Sequence, residues 1–273
     1  MRPAPRTLMC PPDHYGIEYE INPWMKRSLA SVRDVAWVQW KNLRAALAGL
    51  GVTVEEMTPR PGLPDLVFTA NAGLMYRERF FSSRFFHEVR ARESPFFDAW
   101  FRDHGFDVVH WPEGMYHEGA GDALFCGESL FAGYRTRSDV HAHQWVANQI
   151  GVRVLPLELV NQRFYHLDTC FCPLAPDEAL YFPEAFDDYG RRVLEAHVPK
   201  LIPVAEPEAH RFGCNAVVVG RTVIHNSRCP RMAEELTARG YTSIEVELDE
   251  FLKAGGSAKC LTLRIDGEEA ASW

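Results

Sequence analysis

The sequence predicts an α/β fold in which five similar units form a ring, and three observations lead to this prediction. Five short segments each place one polar or reactive residue among small residues, at the start of an apolar, strand-like run. The intervals between those residues are 51, 46, 47 and 45 positions, a period typical of repeat architectures. A helical pattern lies between each of the first four segments and the next. The five marked residues are Asn71, Asp122, Asp168, Asn215 and Cys260.

The predicted helices alternate with these segments along the chain. Two of them begin at a proline, Pro95 and Pro230, which suits the first helical turn because an N–H is not needed there. The helices predicted between the segments are Pro95–His104, Val140–Ile150, Asp187–His197 and Pro230–Arg239.

The two ends of the chain complement each other. Val32–Leu50 is predicted to be an amphipathic helix, with no strand of the same period before it, whereas the segment at Cys260 has too little chain after it for a helix. In a ring, the N-terminal helix completes the last unit, and the five marked residues point towards one axis, where a small-molecule site would form. The alternative is an ordinary α/β sheet in which the segments are buried strand starts.

Composition and charge narrow the class of protein. The 273 residues are 47% hydrophobic and 24% charged, which is typical of a soluble globular protein that can bury a large core. We expect a single domain over residues 1–273. The net charge is −8, and no Lys/Arg-rich run occurs, so a nucleic-acid partner is not expected.

The N-terminus and the cysteines predict a cytoplasmic protein. The first residues include arginines but no apolar stretch follows them, so a secretory signal is not expected, and no apolar run reaches the roughly 18 residues of a membrane helix. The seven cysteines are an odd number without a compact disulfide spacing, which favours reduced thiols.

Cys260 is a candidate nucleophile in the stretch F-L-K-A-G-G-S-A-K-C-L-T-L. A thiol with an ordinary pKa is mostly protonated at neutral pH, so catalysis needs a nearby cation or base. His166, in F-Y-H-L-D-T-C-F-C, is the best histidine candidate. The alternative for each is an inert structural residue.

Carboxylates form the second element of the candidate site. His166 and Asp168 lie two residues apart, so on a strand they would face the same side and could both face one substrate. Glu118 could anchor the imidazole, and carboxylates facing one pocket would repel each other unless a cation, such as a guanidinium, lay between them. Asp65 and Asp122 could instead cap turns through local backbone bonds, and we favour that role for Asp122.

Neither a metal nor a cofactor is predicted. His166, Cys170 and Cys172 are three potential zinc ligands, but no C-x-x-C or clear fourth ligand accompanies them, and the two cysteines are more simply core residues. The sequence contains no Walker loop and no G-x-G-x-x-G after a strand, so no nucleotide cofactor is implied.

Several longer motifs, spread from about Met9 to about Ile265, resemble those of the guanidine-modifying, or pentein, superfamily. The motifs are M-C-P-P-D-H-Y, I-N-P-W-M, P-D-L-V-F-T-A-N-A-G-L, E-G-A-G-D-A-L, F-Y-H-L-D-T-C-F-C-P-L and F-L-K-A-G-G-S-A-K-C-L-T-L. That group includes arginine deiminases, dimethylarginine dimethylaminohydrolases and amidinotransferases, and the likeness is strongest to the arginine dihydrolase domain of cyanobacteria. The resemblance implies a five-bladed α/β propeller, the pentein fold, of pseudo-fivefold ββαβ-type units.

The resemblance also implies roles for individual residues. Cys260 would attack the guanidinium carbon, His166 would act as general acid and base, and Glu118 would orient His166. Asp65 or Asn71, with Asp168, would hold the guanidinium nitrogens. The other implied substrate contacts are Asn22 and, for the substrate carboxylate, Arg90 and Arg137, with Arg84 as a competitor of Arg90.

The implied activity is hydrolysis of L-arginine to ornithine, CO2 and two ammonia through a covalent thiouronium on cysteine. Asn71 favours this dihydrolase reaction because an asparagine at this position accompanies the second hydrolysis in the proteins that the chain resembles. The alternatives are an arginine deiminase, a dimethylarginine dimethylaminohydrolase, an amidinotransferase and a non-catalytic arginine-binding protein. We expect a small-molecule partner, neither nucleic acid nor membrane, no cofactor and no metal; a homo-oligomer is left open.

Overall fold

The computed structural model describes residues 4–267 of the chain, which form a five-bladed propeller. Each blade is a sheet of three short strands, and the described part of the chain contains five such sheets. The predicted ring of five α/β units is therefore confirmed, and the single open α/β sheet is wrong.

The strands and helices alternate as the sequence predicts. The strands are β1 (Arg6–Met9), β2 (Thr53–Glu56), β3 (Gly73–Tyr76), β4 (Arg79–Ser82), β5 (Asp107–His110), β6 (Ala123–Cys126), β7 (Ser129–Tyr134), β8 (Arg153–Glu158), β9 (Phe171–Ala175), β10 (Glu178–Tyr181), β11 (Lys200–Pro203), β12 (Val217–Val219), β13 (Thr222–Asn226), β14 (Thr242–Val246) and β15 (Leu263–Arg264). The helices are α1 (Arg33–Gly49), α2 (Glu88–Ala91), α3 (Ser94–Asp103), α4 (Val140–Ile150), α5 (Asp188–His197), α6 (Glu206–Ala209), α7 (Pro230–Ala238) and α8 (Asp249–Leu252).

Four blades share one ββαβ topology. In the blade of β3, β4 and β5, an antiparallel hairpin is followed by α3 and then by a strand parallel to β4. The helix is needed because parallel neighbours cannot be joined by a tight turn. The same order recurs in the sheets β6-β7-β8, β9-β10-β11 and β12-β13-β14.

The fifth blade joins the two ends of the described chain. Its strand order is β15-β1-β2, so the last strand pairs antiparallel with the first, with Thr7 opposite Arg264. The main-chain N–H of Ile265 donates to the carbonyl of Arg6 at 3.0 Å. The N-terminal helix therefore completes the last unit, as predicted. The strand before this helix, β1 at Arg6–Met9, was not marked by the repeat period, because its four residues are too short to give a periodic signal.

The predicted helices lie within two residues of their observed bounds, because their starts and stops have local causes. The carboxylate of Asp187 accepts a hydrogen bond from the N–H of Gly190 at 2.7 Å and caps α5. Pro230 occupies the first turn of α7. Gly151 ends α4 in the left-handed region at φ 68°, where glycine carries no Cβ penalty.

Short 3₁₀ turns precede the first strands of three blades and carry marked residues inwards. They are Thr69–Ala72, Gly119–Gly121 and Leu167–Thr169. Asp168 lies in the third of these turns and His166 directly before it. The assumption that these two side chains project from the same face of one strand is therefore wrong, because the chain is coiled at this point.

The core lies between the helices and the blades and is rich in fully buried phenylalanine, including Phe80, Phe101, Phe171 and Phe212. Phe80 and Phe101 stack with ring centroids 3.6 Å apart, which joins β4 to α3. Among the helices of residues 4–267, none combines the length and the apolarity that crossing a bilayer requires.

Candidate active site

One narrow cavity brings together most of the residues singled out in the sequence. Six of the nine candidate site residues line it: Asn22, Asp65, Asn71, Arg90, Arg137 and Cys260. Of the other three, Asp168 contacts Cys260 and Glu118 contacts Arg137, whereas His166 is joined to that wall through Glu118. The nine residues come from all parts of the chain, so the ring assembles the site.

Cys260 presents its thiol to this cavity from the turn before β15. Its Sγ lies 3.4 Å from a carboxylate oxygen of Asp168 and 3.1 Å from Nδ2 of Asn215. Burial, followed by the charge of Asp168, raises the pKa of this thiol well above its ordinary value, while hydrogen bonds from the main chain at Ser257 and from Asn215 act in the opposite direction. A cation arriving beside Asp168 would favour the thiolate.

His166 and Glu118 form a buried pair. Nε2 of His166 lies 2.7 Å from Oε2 of Glu118, and the same oxygen accepts from the guanidinium of Arg137 at 3.1 Å. Oε1 accepts from the N–H of Phe86 at 3.1 Å. Burial alone would raise the pKa of Glu118, but Arg137 and the hydrogen bond from His166 outweigh it and hold the pKa far below its usual range. Glu118 is thus an anion that holds the imidazole of His166 in place. The other ring nitrogen, Nδ1, has no hydrogen-bond partner within residues 4–267.

Asp65 forms an acidic edge of the cavity. Its Oδ2 accepts from the hydroxyl of Tyr19 at 3.0 Å and lies 3.7 Å from Nε of Arg90, whereas Oδ1 accepts no hydrogen bond from the part of the chain that the structure describes. Burial raises the pKa of this carboxyl. These bonds are tertiary, so Asp65 is not a local turn cap, and a donor from a ligand would satisfy its open oxygen.

Arg90 is committed to protein partners. Its guanidinium donates two hydrogen bonds to the carboxylate of Glu93, from Nε at 2.9 Å and from Nη2 at 2.8 Å. It also donates to Oδ1 of Asn71 at 2.9 Å and to the carbonyl of Asp65 at 3.2 Å. Four of its five N–H bonds are thus used. This geometry suits an arginine that orients Asn71 and Asp65 better than one that clamps a substrate carboxylate, because only one N–H is left for a ligand.

Arg137 has more donors available for a ligand. It donates to Glu118 and, at 2.9 Å, to the carbonyl of Ile21, and its guanidinium lies over the ring of Tyr165 at 4.8 Å. Its Nε has no hydrogen-bond partner among residues 4–267. Asn22 shares this wall, but its amide is already bonded to the main chain of residues 24, 25 and 254, so it shapes the loop that borders the cavity.

Two other residues that the sequence analysis considered, Arg84 and Asp122, do not line this cavity. Arg84 pairs with His117 in an isolated bridge and lines a different cavity, one that Cys260 does not line, so it does not compete with Arg90. The favoured role of Asp122, capping a turn through local backbone bonds, is wrong, because its carboxylate bonds to residues far along the chain. It accepts from the hydroxyl of Ser138 at 2.6 Å and from the N–H of Leu167 at 3.1 Å, and burial raises its pKa to about 6.

The other cysteines fill the core. All seven cysteines are free and buried, and Cys170 and Cys172 belong to one large apolar cluster. Burial raises the pKa of both thiols, which disfavours metal-binding thiolates. Among the described residues, no group of three His, Cys, Asp or Glu side chains is arranged to hold a metal ion.

A larger cavity lies elsewhere in the ring and is lined mainly by apolar residues such as Phe125, Val217 and Val219. Among the residues that the structure describes, its charged lining residues are Arg6, Lys259 and Arg264, and none of its lining residues carries a carboxylate. This composition does not suit a guanidinium, so the smaller cavity is the candidate active site.

Sequence reasoning missed three residues of the site. Tyr19 donates to Asp65, Tyr165 donates to the carbonyl of Gly255 at 2.5 Å, and Asn215 contacts Cys260. Asn215 was marked by the fivefold spacing but given no role. The two tyrosines carry no spacing signal, because their partners are up to 90 positions away in the chain.

Comparisons with known proteins agree with this geometry. A family model described as N,N dimethylarginine dimethylhydrolase, eukaryotic, matches residues 16–266. The chain is 47% identical over 265 residues to the bifunctional arginine dihydrolase/ornithine cyclodeaminase ArgZ of Synechocystis. It is 39% identical over 267 residues to N(G),N(G)-dimethylarginine dimethylaminohydrolase of Mycobacterium tuberculosis, covering 97% of this chain and 88% of that protein.

A solved structure matches the fold closely. The N-terminal domain of ArgZ, crystallised as a cysteine-to-serine variant bound to substrate, superposes with a TM-score of 0.93 at 46% identity, covering 96% of this chain and 98% of that domain. The match to full-length ArgZ covers 95% of this chain but 37% of that protein, so the chain spans little more than a third of this bifunctional relative.

Proposed function

The chain belongs to the N,N-dimethylarginine dimethylhydrolase family, and on that premise we propose that it is a cysteine-dependent hydrolase of the guanidinium group, specifically an arginine dihydrolase. The observation that carries the proposal is the thiol of Cys260 at 3.4 Å from Asp168, on the wall of a cavity that Asp65 also lines. Two carboxylates beside one nucleophile suit a planar cation with several N–H donors.

The first hydrolysis uses the residues as follows. The guanidinium binds between Asp65 and Asp168, and its charge offsets the burial that keeps Cys260 protonated. The thiolate sulfur adds to the guanidinium carbon. One terminal C–N bond breaks, His166 gives the leaving nitrogen a proton, and ammonia departs from a covalent thiouronium. Water, losing a proton to His166, adds to the same carbon, and the C–S bond breaks to give citrulline and free thiolate.

A second cycle on the retained citrulline completes the dihydrolase reaction. The thiolate adds to the ureido carbon, a second ammonia leaves, and water cleaves the resulting thiocarbamate. The carbamic acid that remains loses CO2 and becomes ornithine. Two observations support this longer reaction. The side chain of Asn71 lines the cavity with its Oδ1 held by Arg90, and the chain is 47% identical to ArgZ, a bifunctional arginine dihydrolase/ornithine cyclodeaminase.

A second candidate is hydrolysis of N-methylated arginine, because the family model and the mycobacterial relative carry that name. The surroundings of Asp65 favour arginine itself. The hydroxyl of Tyr19 and the guanidinium of Arg90 both contact the carboxylate of Asp65, so this edge of the cavity is polar. Methyl groups on the substrate would displace hydrogen bonds at this edge without replacing them.

We also propose that residues 1–273 act as one catalytic domain on a small-molecule substrate in the cytoplasm. The five blades close on one another through β1 and β15, and one cavity collects residues from several of them. Seven free cysteines suit a reducing compartment.

The test is a product assay with matched variants. Purified protein is incubated separately with L-arginine and with dimethylarginine, and ammonia, citrulline, ornithine and dimethylamine are quantified. We expect ornithine with two ammonia per arginine, no turnover in Cys260→Ala, and full turnover in Cys214→Ala, a buried thiol that does not line the proposed cavity.

Other outcomes assign the other activities. Citrulline with one ammonia would make the protein a deiminase. Dimethylamine from the methylated substrate alone would establish the second candidate. Retained turnover in Cys260→Ala would refute the covalent mechanism.

A further inference from the structure

Asn215 occupies a position that the proposed reaction does not yet use. It precedes β12 in the fourth blade and is fully buried. Its Oδ1 accepts from the main-chain N–H of Cys260 at 3.1 Å. Its Nδ2 donates to the carbonyl of Asp168 and to Sγ of Cys260, both at 3.1 Å. One amide thus links the nucleophile to the main chain of the residue that supplies its neighbouring carboxylate.

The orientation of this amide is fixed by its partners. The main-chain N–H of Cys260 requires an acceptor, so the oxygen of Asn215 must face it, and the nitrogen must then face the sulfur. Nδ2 carries two N–H bonds, and both have a partner. The thiol therefore receives a directed donor whose geometry is set by two main-chain groups.

The sulfur needs such a donor because burial and the Asp168 carboxylate both oppose its negative charge. Cys260 is 2% exposed and lies 3.4 Å from the Asp168 carboxylate. Hydrogen bonding to the charged form of a group favours that form, and bonds to an ion are stronger than bonds between neutral groups. A buried amide donating to sulfur acts selectively on the thiolate.

We propose that Asn215 is a positioning residue for the nucleophile, holding Sγ of Cys260 in place and stabilising its thiolate by donating an N–H to it. The role within catalysis rests on the proposed hydrolase function. The effect on the thiol itself does not, because it can be measured in the protein without substrate.

The experiment measures the reactivity of Cys260 towards iodoacetamide as a function of pH, with the modified peptide identified by mass spectrometry. Asn215→Asp is isosteric and replaces the donor with an acceptor, and Asn215→Ala removes it. We expect the midpoint of the alkylation profile to rise by at least about one pH unit and kcat/KM at neutral pH to fall about 10- to 100-fold in both variants.

The matched control is Asn226→Asp in the same blade. Asn226 is equally buried, but its amide bonds only to main-chain groups, at residues 211, 227 and 248. We expect this variant to lose stability while the alkylation midpoint of Cys260 stays unchanged. A folded Asn215 variant with the native alkylation midpoint would overturn the proposal, even if its activity were low, since the defect would then be structural.

Two further readouts keep the test decisive. If the Asn215 variants unfold, the side-chain N–H signal of Asn215 in the native protein, observed by NMR during a pH titration, must follow the alkylation midpoint of Cys260; an insensitive signal refutes the proposal. Failure of arginine turnover in the native protein would reject the proposed function while leaving the alkylation result interpretable.

Discussion

At the scale of single residues, the site depends on side chains that are held by other side chains. Glu118 receives hydrogen bonds from Arg137, His166 and the main chain of Phe86, so it stays ionised over the neutral range. An anion at this point favours the tautomer of His166 with its proton on Nε2, which leaves Nδ1 for the proton transfers of the proposed reaction. The pair is thus prepared before a substrate arrives.

Asn71 is the residue where a small change should alter the product. Its Oδ1 is fixed by Arg90, and its Nδ2 points to the carbonyl of Glu118 at 3.5 Å, a long bond that a ligand could replace. We predict that Asn71→Ser and Asn71→Asp raise the share of citrulline among the products of arginine, because citrulline is then retained less well for a second cycle. The measurement is the ratio of citrulline to ornithine at equal arginine consumption.

A matched variant separates this effect from general damage. Asn226→Ser changes a buried asparagine outside the cavity, and its product ratio should equal that of the native protein. A native ratio in both Asn71 variants would remove Asn71 from the second hydrolysis and shift attention to the groups around Asp168.

The residues that gather at the cavity were largely predictable at this scale, for a physical reason. Cys260, His166, Glu118 and Asp65, the proposed nucleophile, base and carboxylates, lie in long motifs, so the sequence marks them as candidates. The ion-pair partner of a buried charge cannot be predicted from a motif, because it depends on which side chains the fold brings together. Arg90 was expected to hold a substrate, yet its charge is matched mainly by Glu93 three positions away.

At the scale of elements, the 3₁₀ turn Gly119–Gly121 approaches the main chain of the first blade too closely to leave room for a side chain at Gly119. Gly119 has φ 64°, and a Cβ there would lie 2.6 Å from the carbonyl oxygen of Gly73. We predict that Gly119→Ala destabilises the protein by about 3 kcal/mol or more, since it combines backbone strain with a clash against main chain. The midpoint of urea unfolding measures the loss.

Gly105 provides the matched control for this prediction. Its φ is 81°, but a Cβ there would meet nothing within 4 Å. Gly105→Ala should therefore cost only the strain, about 1 kcal/mol. Equal losses in the two variants would show that the contact between the turns of the first two blades can relax.

Elements whose bounds depend on their own residues were predictable from the sequence. Elements whose conformation depends on contacts with a neighbouring blade were not. The bounds of α4, with its C-terminal glycine, follow from periodicity and capping, and the sequence predicts them to the residue. The turn Leu167–Thr169 was expected to be a strand because its residue types suit one. It coils instead, with its N-terminal part bonded to the Asp122 side chain from the neighbouring blade.

At the scale of the whole molecule, the fivefold period has a structural cause. Each ββαβ unit exposes an apolar surface that only the next unit can bury, so the chain must close on itself. The largest core cluster accordingly runs through several blades, from Leu124 to Tyr241. The ring was predictable from the spacing because five copies of one signal reinforce each other, although the fifth sheet is divided between the two ends of the chain.

Closure through β1 and β15 should tolerate new chain ends but not the loss of a strand. We predict that a circular permutant, with its old ends joined by a short glycine–serine linker and new ends at the exposed turn Gly220–Arg221, keeps the KM for arginine within a few-fold, because every pairing in the ring is retained.

Deleting residues 1–9 removes the central strand of the closing sheet and should abolish cooperative thermal unfolding. Melting curves and arginine turnover measure both. A deletion variant that still melts cooperatively would mean that four blades suffice for the fold, and closure would then serve only to place Cys260 beside Asp168 and Asn215.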